Sequence, residues 1–364
     1  MTNRTRPVVP TEVYSLIEDE VASFRNFSSG YILENYKYGV SDVVIRFYRG
    51  DIQVLGNKDV FNNKHIVNIR GRLLASYLKD AYELYPELME DLDLIMPVCF
   101  SDTSDTPLQE IPCLVFSKTA FSTNILMPSP NNLIGHWEVD RVRAFDAPLD
   151  SKENKMCFVG SLTGSMNSVA DNMRLKVMDK LSQSDNSFCR LLRPPNLDED
   201  VWNNWVNHLI KNTFPNIPED LILNEHIKID IAEQLKYKYH LCVDGHSCAW
   251  ARLPWQMSAN GIPLKIRNPR HNWKEWFYPL LKPNKHFLEI DIEELDSAYE
   301  YLESDPKAQN YINESGKQFV EDYCSPELAL DVLVQTLLLL NKKQNNLFHR
   351  KAQMEAEGQA MRRV

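Results

Sequence analysis

Residues 238–254 read Lys238-Tyr-His-Leu-Cys-Val-Asp-Gly-His-Ser-Cys-Ala-Trp-Ala-Arg-Leu-Pro254. The apolar run Tyr239–Val243 has the length and composition of a buried strand. Asp244–Ser247 is turn chemistry. Ser247, Cys248, Ala249 and Ala251 are small, so a ligand can approach the backbone there, and Arg252 stands where a helix begins. A guanidinium at such a place can grip a diphosphate with two parallel hydrogen bonds. A plain surface arginine on a helix would leave the same letters.

A second junction of the same kind lies upstream. Lys155-Met-Cys-Phe-Val-Gly-Ser-Leu-Thr-Gly164 opens a short strand, Met156–Val159, into Gly160 and Ser161, and Arg174 falls in the helix that follows. Backbone N–H groups and hydroxyls near a helix start hold anions well. An ordinary βα turn also fits these residues. Both junctions place candidate ligand groups at the carboxyl end of a strand, where open α/β sheets bind ligands.

Outward from these junctions the chain alternates strands and helices. Helical spacing covers Thr11–Phe24 and Gly71–Met89, and in the latter Leu73, Leu74, Tyr77, Leu78, Ala81, Leu84 and Leu88 form one stripe. Asp42–Tyr48 and Asp51–Leu55 read as a strand pair around Arg49-Gly50. Leu92–Val98 and Ile111–Phe116 are short buried-strand runs, and the Pro-, Ser- and Asp-containing Phe145–Lys155 marks a domain junction. In the second half, helices are expected over Ala170–Leu181, Ile231–Lys236, Ala251–Ser258, Ile292–Ser304 and Asp305–Val320, and a strand over Ile262–Ile266. Leu192–Asp200 and Phe214–Asp220 read as polar, proline-rich connections. A last helix, Pro326–Leu340, leads into a polar tail with Arg350, Lys351, Arg362 and Arg363, which fits a solvated helix end. The expectation is an α/β protein with parallel sheets in both halves. Its domains would span residues 1–150 and 151–325, with 326–364 as a helix and tail packing back on the first.

Composition narrows the function. The chain has 364 residues, about two domains' worth. Its net charge of −10 argues against general binding to nucleic acid or an anionic membrane. Only 12 residues are glycine, which disfavours several glycine-rich phosphate loops. No GxGxxG, Walker loop, HExxH, GxSxG or EF-hand pattern occurs. The first residues lack a signal-peptide core, and no apolar run is long enough to span a bilayer. The seven cysteines, odd in number and without CxxC, read as buried reduced thiols. A cytoplasmic setting follows as an expectation. The nine histidines are scattered without metal-ligand spacing. Asp91-Leu-Asp93 and Asp198-Glu-Asp200 have the shape of acidic metal motifs but fit solvated turns better. Trp202, Trp205 and Lys211 could touch a membrane surface, which the overall negative charge opposes.

From about residue 90 to 325 the sequence resembles glycosyltransferase family 90, which includes protein O-glucosyl- and O-xylosyltransferases, capsule-associated transferases and lipopolysaccharide-modifying transferases. The resemblance rests on residues 238–254, on Gly261-Ile-Pro-Leu-Lys265, and on Trp273-Lys-Glu-Trp-Phe-Tyr278 with Leu281-Lys-Pro283 and His286. It rests further on Asp305–Phe319, Ile111–Thr119 and Asp91–Ile95, all in the family's order. It implies the GT-B arrangement, two Rossmann-like domains facing a cleft, and an inverting, metal-independent transfer of glucose or xylose from a UDP-sugar to a saccharide or glycoconjugate acceptor. No cofactor beyond the donor and no metal is implied.

Carried onto this chain, the resemblance puts the donor on Lys238, on Gly245, His246, Ser247, Cys248, Ala249, Trp250, Ala251 and Arg252, and on Glu275, with Arg252 on the diphosphate. Gly160, Ser161, Thr163 and Arg174 would flank the phosphates. The base would be an Asp in the loop Val98–Pro107. Its distance from the preceding strand favours Asp102, and the family's Asp-x-Pro pattern favours Asp105. Two departures stand out. Val159 occupies a position where the family usually has arginine, and one extra residue separates Gly245 from Arg252 compared with some members. Without a signal peptide, the closest fit is a bacterial or viral enzyme of surface-glycan assembly. The other hypothesis is a catalytically silent nucleotide-sugar-binding protein on the same scaffold.

Overall fold

The computed structural model describes residues 4–23, 27, 29–36, 42–56, 66–101, 111–129, 137–164, 169–194, 197–224, 229–268 and 272–361. Along the chain run α1 (Thr11–Ser23), β1 (Asp42–Tyr48), β2 (Asp51–Gly56), α2 (Ile66–Leu84), β3 (Asp93–Cys99), β4 (Leu114–Val115) and β5 (Ile125–Leu126). Next come α3 (Trp137–Phe145), β6 (Glu153–Ser161), α4 (Met173–Ser182), β7 (Ser187–Leu192), β8 (Ile222–Leu223) and β9 (Tyr237–Cys242). The remainder comprises α5 (Arg252–Ser258), β10 (Ile262–Ile266), β11 (Leu288–Ile290), α6 (Leu295–Ser304), α7 (Pro306–Tyr323) and α8 (Pro326–Met361).

These elements form two compact units. One comprises residues 1–134, 274–279 and 326–364, the other 135–273 and 280–325. The junction expected near 145–155 therefore falls earlier, because α3 packs Val142 against Ile231, Leu235, Trp255 and Ala259 of the second unit.

The first unit holds a five-stranded sheet of order β2-β1-β3-β4-β5. Its strands are mixed, not all parallel as expected: β1 runs antiparallel to both β2 and β3, while β3, β4 and β5 are parallel. The tight turn at Arg49-Gly50 forces the first pairing, with both residues at positive φ. β3 meets β4 only at Val98. Part of the edge left over is completed by side chains of α8. Asn341 accepts from the Asp93 N–H at 3.0 Å, and Gln344 both accepts from the Ile95 N–H at 3.0 Å and donates to the Ile95 carbonyl at 3.2 Å. Buried backbone groups need such partners, so these amides tie the last helix to this unit.

The second unit is built on a six-stranded sheet of order β11-β10-β9-β6-β7-β8 in which every pairing is parallel. Counted from its first strand, that is the 3-2-1-4-5-6 order of a doubly wound nucleotide fold. Helices cover both faces. Met156 and Phe158 of β6 join the main core with Leu175, Leu181, Leu241, Leu264 and Leu302. Cys157 and Val159 point to the opposite face, against Leu192 and Tyr237. The period-two alternation of one strand thus anchors two layers. The stretches 187–192 and 222–223, to which the sequence assigns no element, are strands β7 and β8 on the outer side of β6.

His240 lies buried on β9 and stacks at a tilt near Trp255. Its Nε2 is 3.2 Å from the Gln234 carbonyl and its Nδ1 has no hydrogen-bond partner among the described residues, which places the proton on Nε2. Burial, with Lys152 and Arg252 adding to it, pushes the imidazole down to about 3. Burial and two lysines lower His286 to about 4. The unfolded chain takes up these protons near pH 6.5, whereas the folded chain resists them until pH is much lower. Stability from both groups is therefore full above about pH 6.5 and drains as pH falls, by up to about 1.4 kcal/mol per pH unit for each proton. His240→Gln should flatten the fall of the thermal midpoint between pH 6.5 and 4.5. An unchanged slope would mean that His240 titrates normally.

Candidate functional site

The chain reverses its direction of sheet growth between β6 and β9. From β6 it winds outward through β7 and β8, then returns to lay β9 against the other side of β6. Connections leaving the carboxyl ends of these two strands diverge at this switch point, the place where such sheets form a ligand crevice. Gly160 and Ser161 end β6, and Val243, Asp244 and Gly245 follow β9 directly. Both sequence-predicted junctions thus meet at one place.

The two loops are interlocked. A Cβ on Gly245 would lie 2.5 Å from Thr163 Oγ1 and 2.8 Å from Arg174 Nη2, so only glycine lets them approach. The sequence suggests that glycine admits a ligand. The geometry shows that it also admits the protein's own neighbouring loop. The Gly164 N–H donates to His246 Nδ1 at 3.4 Å. Asn172 caps α4 by accepting from the N–H groups of Arg174 and Leu175, and its amide donates to the Thr163 carbonyl at 3.2 Å. That helix start is therefore occupied by its own cap and does not present those two amides to an anion, contrary to expectation.

Charge at the crevice comes from three cations and one carboxylate. Lys265 on β10 reaches both Asp244 oxygens, at 3.0 and 3.1 Å. Burial opposes the Lys265 charge, but Asp244 outweighs it and raises the ammonium above its usual range. Arg174, buried, donates from Nη1 to the Ser161 carbonyl at 2.7 Å, from Nη2 to Val243 at 3.2 Å and from Nε to Asp244 at 3.3 Å. Burial and then Arg252 lower it to about 10. Arg252 is different. Its guanidinium lies 6.0 Å from the Phe158 ring centroid and has no hydrogen bond or ion pair among the described residues. Burial lowers it too. Lys265 and Asp244 neutralise each other, which leaves two guanidinium groups without an ion pair among the described residues.

The structure brings some of the other predicted residues to this cluster and not others. Ser247 and Cys248 are buried, and the Ser247 hydroxyl has no partner among the described residues. Ala249 and Ala251 flank Trp250, which holds a left-handed φ of 53° that bulky residues seldom adopt. Lys238 is not brought here. It sits at the amino end of β9, six residues from Asp244 or roughly 20 Å along an extended chain, and faces Glu303 at 3.7 Å. Glu275 is buried in the other unit. Asp102 and Asp105 lie outside the described residues. Val159 is 4% exposed within an apolar cluster, so this position supplies no charge. Asp198 caps a short helix by accepting from Asp200 and Val201. Sequence reasoning missed Lys265 and Asn172 as partners of these loops; a lysine inside an otherwise apolar strand was the available signal.

Comparison with known proteins now bears on this geometry. Residues 196–359 match glycosyl transferase family 90. The match takes in the Gly245–Arg252 loop and leaves the Gly160–Gly164 loop outside it. Uncharacterized protein 035R of Invertebrate iridescent virus 3 is 28% identical over 190 residues, covering 51% of this chain and 16% of that protein. Uncharacterized protein 179R of Invertebrate iridescent virus 6 is 32% identical over 114 residues, covering 30% of this chain and 10% of that protein. The chain thus spans a small part of the length of these relatives. Among solved structures, the C-terminal domain of the glycosyl transferase group 1 family protein LpcC from Francisella tularensis overlaps 50% of this chain and 96% of its own, at 10% identity and a TM-score of 0.32. No single helix among the described residues is long and apolar enough to cross a membrane.

Gly245→Ala should lower the thermal midpoint by the equivalent of about 1–3 kcal/mol, the usual effect of overpacking. Adding Thr163→Ala should restore part of that loss, because it removes the nearest atom. Unchanged stability of the single variant, measured by thermal unfolding, would mean that the loops separate without cost.

Proposed function

We propose that the second unit binds a nucleoside diphosphate sugar, UDP-glucose or UDP-xylose by resemblance, and that the protein transfers the sugar to a glycan acceptor with inversion. The observation that carries this reading is Arg252: a guanidinium without a hydrogen-bond or ion-pair partner among the described residues, at the switch point of a parallel 3-2-1-4-5-6 sheet, beside a second cation whose guanidinium is spent on carbonyls. A leaving diphosphate is the ligand whose charge answers that surplus. The family match supports the sugar. The reading also calls for the GT-B arrangement, in which the parallel sheet of the second unit would serve the donor.

In this mechanism Arg252 takes up charge as the glycosidic bond to the diphosphate breaks, which preorganised cations do without reorganisation. Arg174 supplies a fixed field from behind the loops. A carboxylate, Asp102 or Asp105, removes the acceptor hydroxyl proton as its oxygen attacks from the face opposite the diphosphate. The arginines take the electrostatic role that a divalent metal fills in other transferases.

The buried Val159 motivates a second reading, a binding protein that holds the donor but does not turn it over. Release of UDP from a panel of UDP-sugars separates the two. Slow hydrolysis that persists in EDTA supports the enzyme, and donor binding without UDP release supports the silent scaffold. UDP and pyrophosphate should raise the thermal midpoint of the wild type. Arg252→Ala should abolish that rise, barely change the ligand-free midpoint and slow turnover by the equivalent of about 2–4 kcal/mol. Near-normal turnover of a folded Arg252→Ala protein would remove Arg252 from the reaction.

The base is tested by Asp102→Asn and Asp105→Asn side by side. One should cut transfer by about 10²–10⁴-fold while keeping donor affinity, since asparagine preserves shape but accepts no proton. The other should act only as a turn residue. Normal transfer in both places the base elsewhere.

A further inference from the structure

Arg174 spends its guanidinium on the protein itself. Three of its N–H groups meet the carbonyls of Ser161, Val243 and Asp244. Ser161 ends β6, and Val243 and Asp244 directly follow β9, so one planar side chain spans the two strands at the point where the crevice opens. Its own helix start is held by Asn172, which also bonds the Thr163 carbonyl of the first loop. On the far side, Lys265 fixes the Asp244 carboxylate from β10. Gly245 allows the second loop to close against Thr163 and Arg174.

We infer that Arg174 is a positioning residue, a clamp that holds the β6 and β9 loops at a fixed spacing and does not itself ligate the donor. The inference rests on the donor-binding reading for its functional consequence, though the clamp exists without ligand. Carbonyl acceptors of strands end on directions set by the sheet. A planar fork with donors on three nitrogens can meet three of them at once, which a single ammonium on a flexible stem does less well. Arg252, by contrast, has no such partner among the described residues. The two arginines therefore divide the work: one shapes the crevice and the other meets the ligand.

The test compares wild type with Arg174→Lys, which keeps the charge, and Arg174→Met, which keeps the stem. Backbone hydrogen exchange is followed without ligand over residues 160–164 and 243–247, and UDP affinity is measured by titration calorimetry. Loss of the clamp should speed exchange in both segments by about tenfold or more, since each opens by a local route once its tie is gone. UDP affinity should fall by about tenfold or more in the same variants, because the loops must then be ordered on binding. If the methionine variant does not fold, the lysine variant carries both measurements. Exchange that stays at wild-type rates in ligand-free Arg174→Lys would overturn the clamp, and a fall in UDP affinity alone would instead make Arg174 a direct ligand. Released loops with unchanged affinity would also overturn its positioning role. If UDP does not bind even the wild type, the donor reading fails, while the exchange measurement still decides the clamp.

Discussion

A buried guanidinium without a carboxylate must be satisfied by dipoles, or its desolvation would exceed what the fold can bear. Arg174 meets that demand with three strand-end carbonyls. The solution couples two otherwise independent loops, because those carbonyls belong to strands separated by about 80 residues of chain and by the whole β7–β8 excursion. Everything at the crevice inherits this constraint. Gly245 must lack a side chain, Asn172 must cap α4, and Asp244 must be neutralised from β10 rather than by Arg174.

Local chemistry made the junctions legible. Met156–Val159 and Tyr239–Val243 are apolar runs followed by turn residues, and the structure gives β6 as Glu153–Ser161 and β9 as Tyr237–Cys242. The run Ile262–Ile266 is β10 to the residue. What failed was short or polar. Ser187–Leu192 carries Ser187 and Arg190 and lies before a proline pair, and Ile222–Leu223 is only two residues long. Neither has a periodic signal, because each is a strand by virtue of its neighbour. The Arg49-Gly50 turn made the antiparallel β1–β2 pair legible, but the direction of β1 against β3 was out of reach. Antiparallel pairing of β1 with β3 depends on where the chain returns, which no local pattern records.

The candidate site divides the same way. Arg252 could be picked from its place after a strand, a turn and small residues. Arg174 was visible as a cation, but its commitment to carbonyls is a tertiary fact involving residues 13, 69 and 70 positions away. Lys238, adjacent in sequence to a promising strand, lies at its wrong end, since six extended residues carry the chain across the sheet. Proximity in sequence along a strand is separation in space, whereas the turns at the ends of β6 and β9 are distant in sequence and in contact.

On the proposed reading, charge favours a small anion over a polymer. The chain as a whole is acidic, at −10, so an extended polyanion would meet repulsion over most of its length. The two guanidinium groups lie near the ends of β6 and β9, and Arg174, which is buried, is little screened by water or salt. A ligand that places two negative charges there, and little elsewhere, gains the local attraction without the global repulsion. A diphosphate joined to neutral groups at both ends has that distribution.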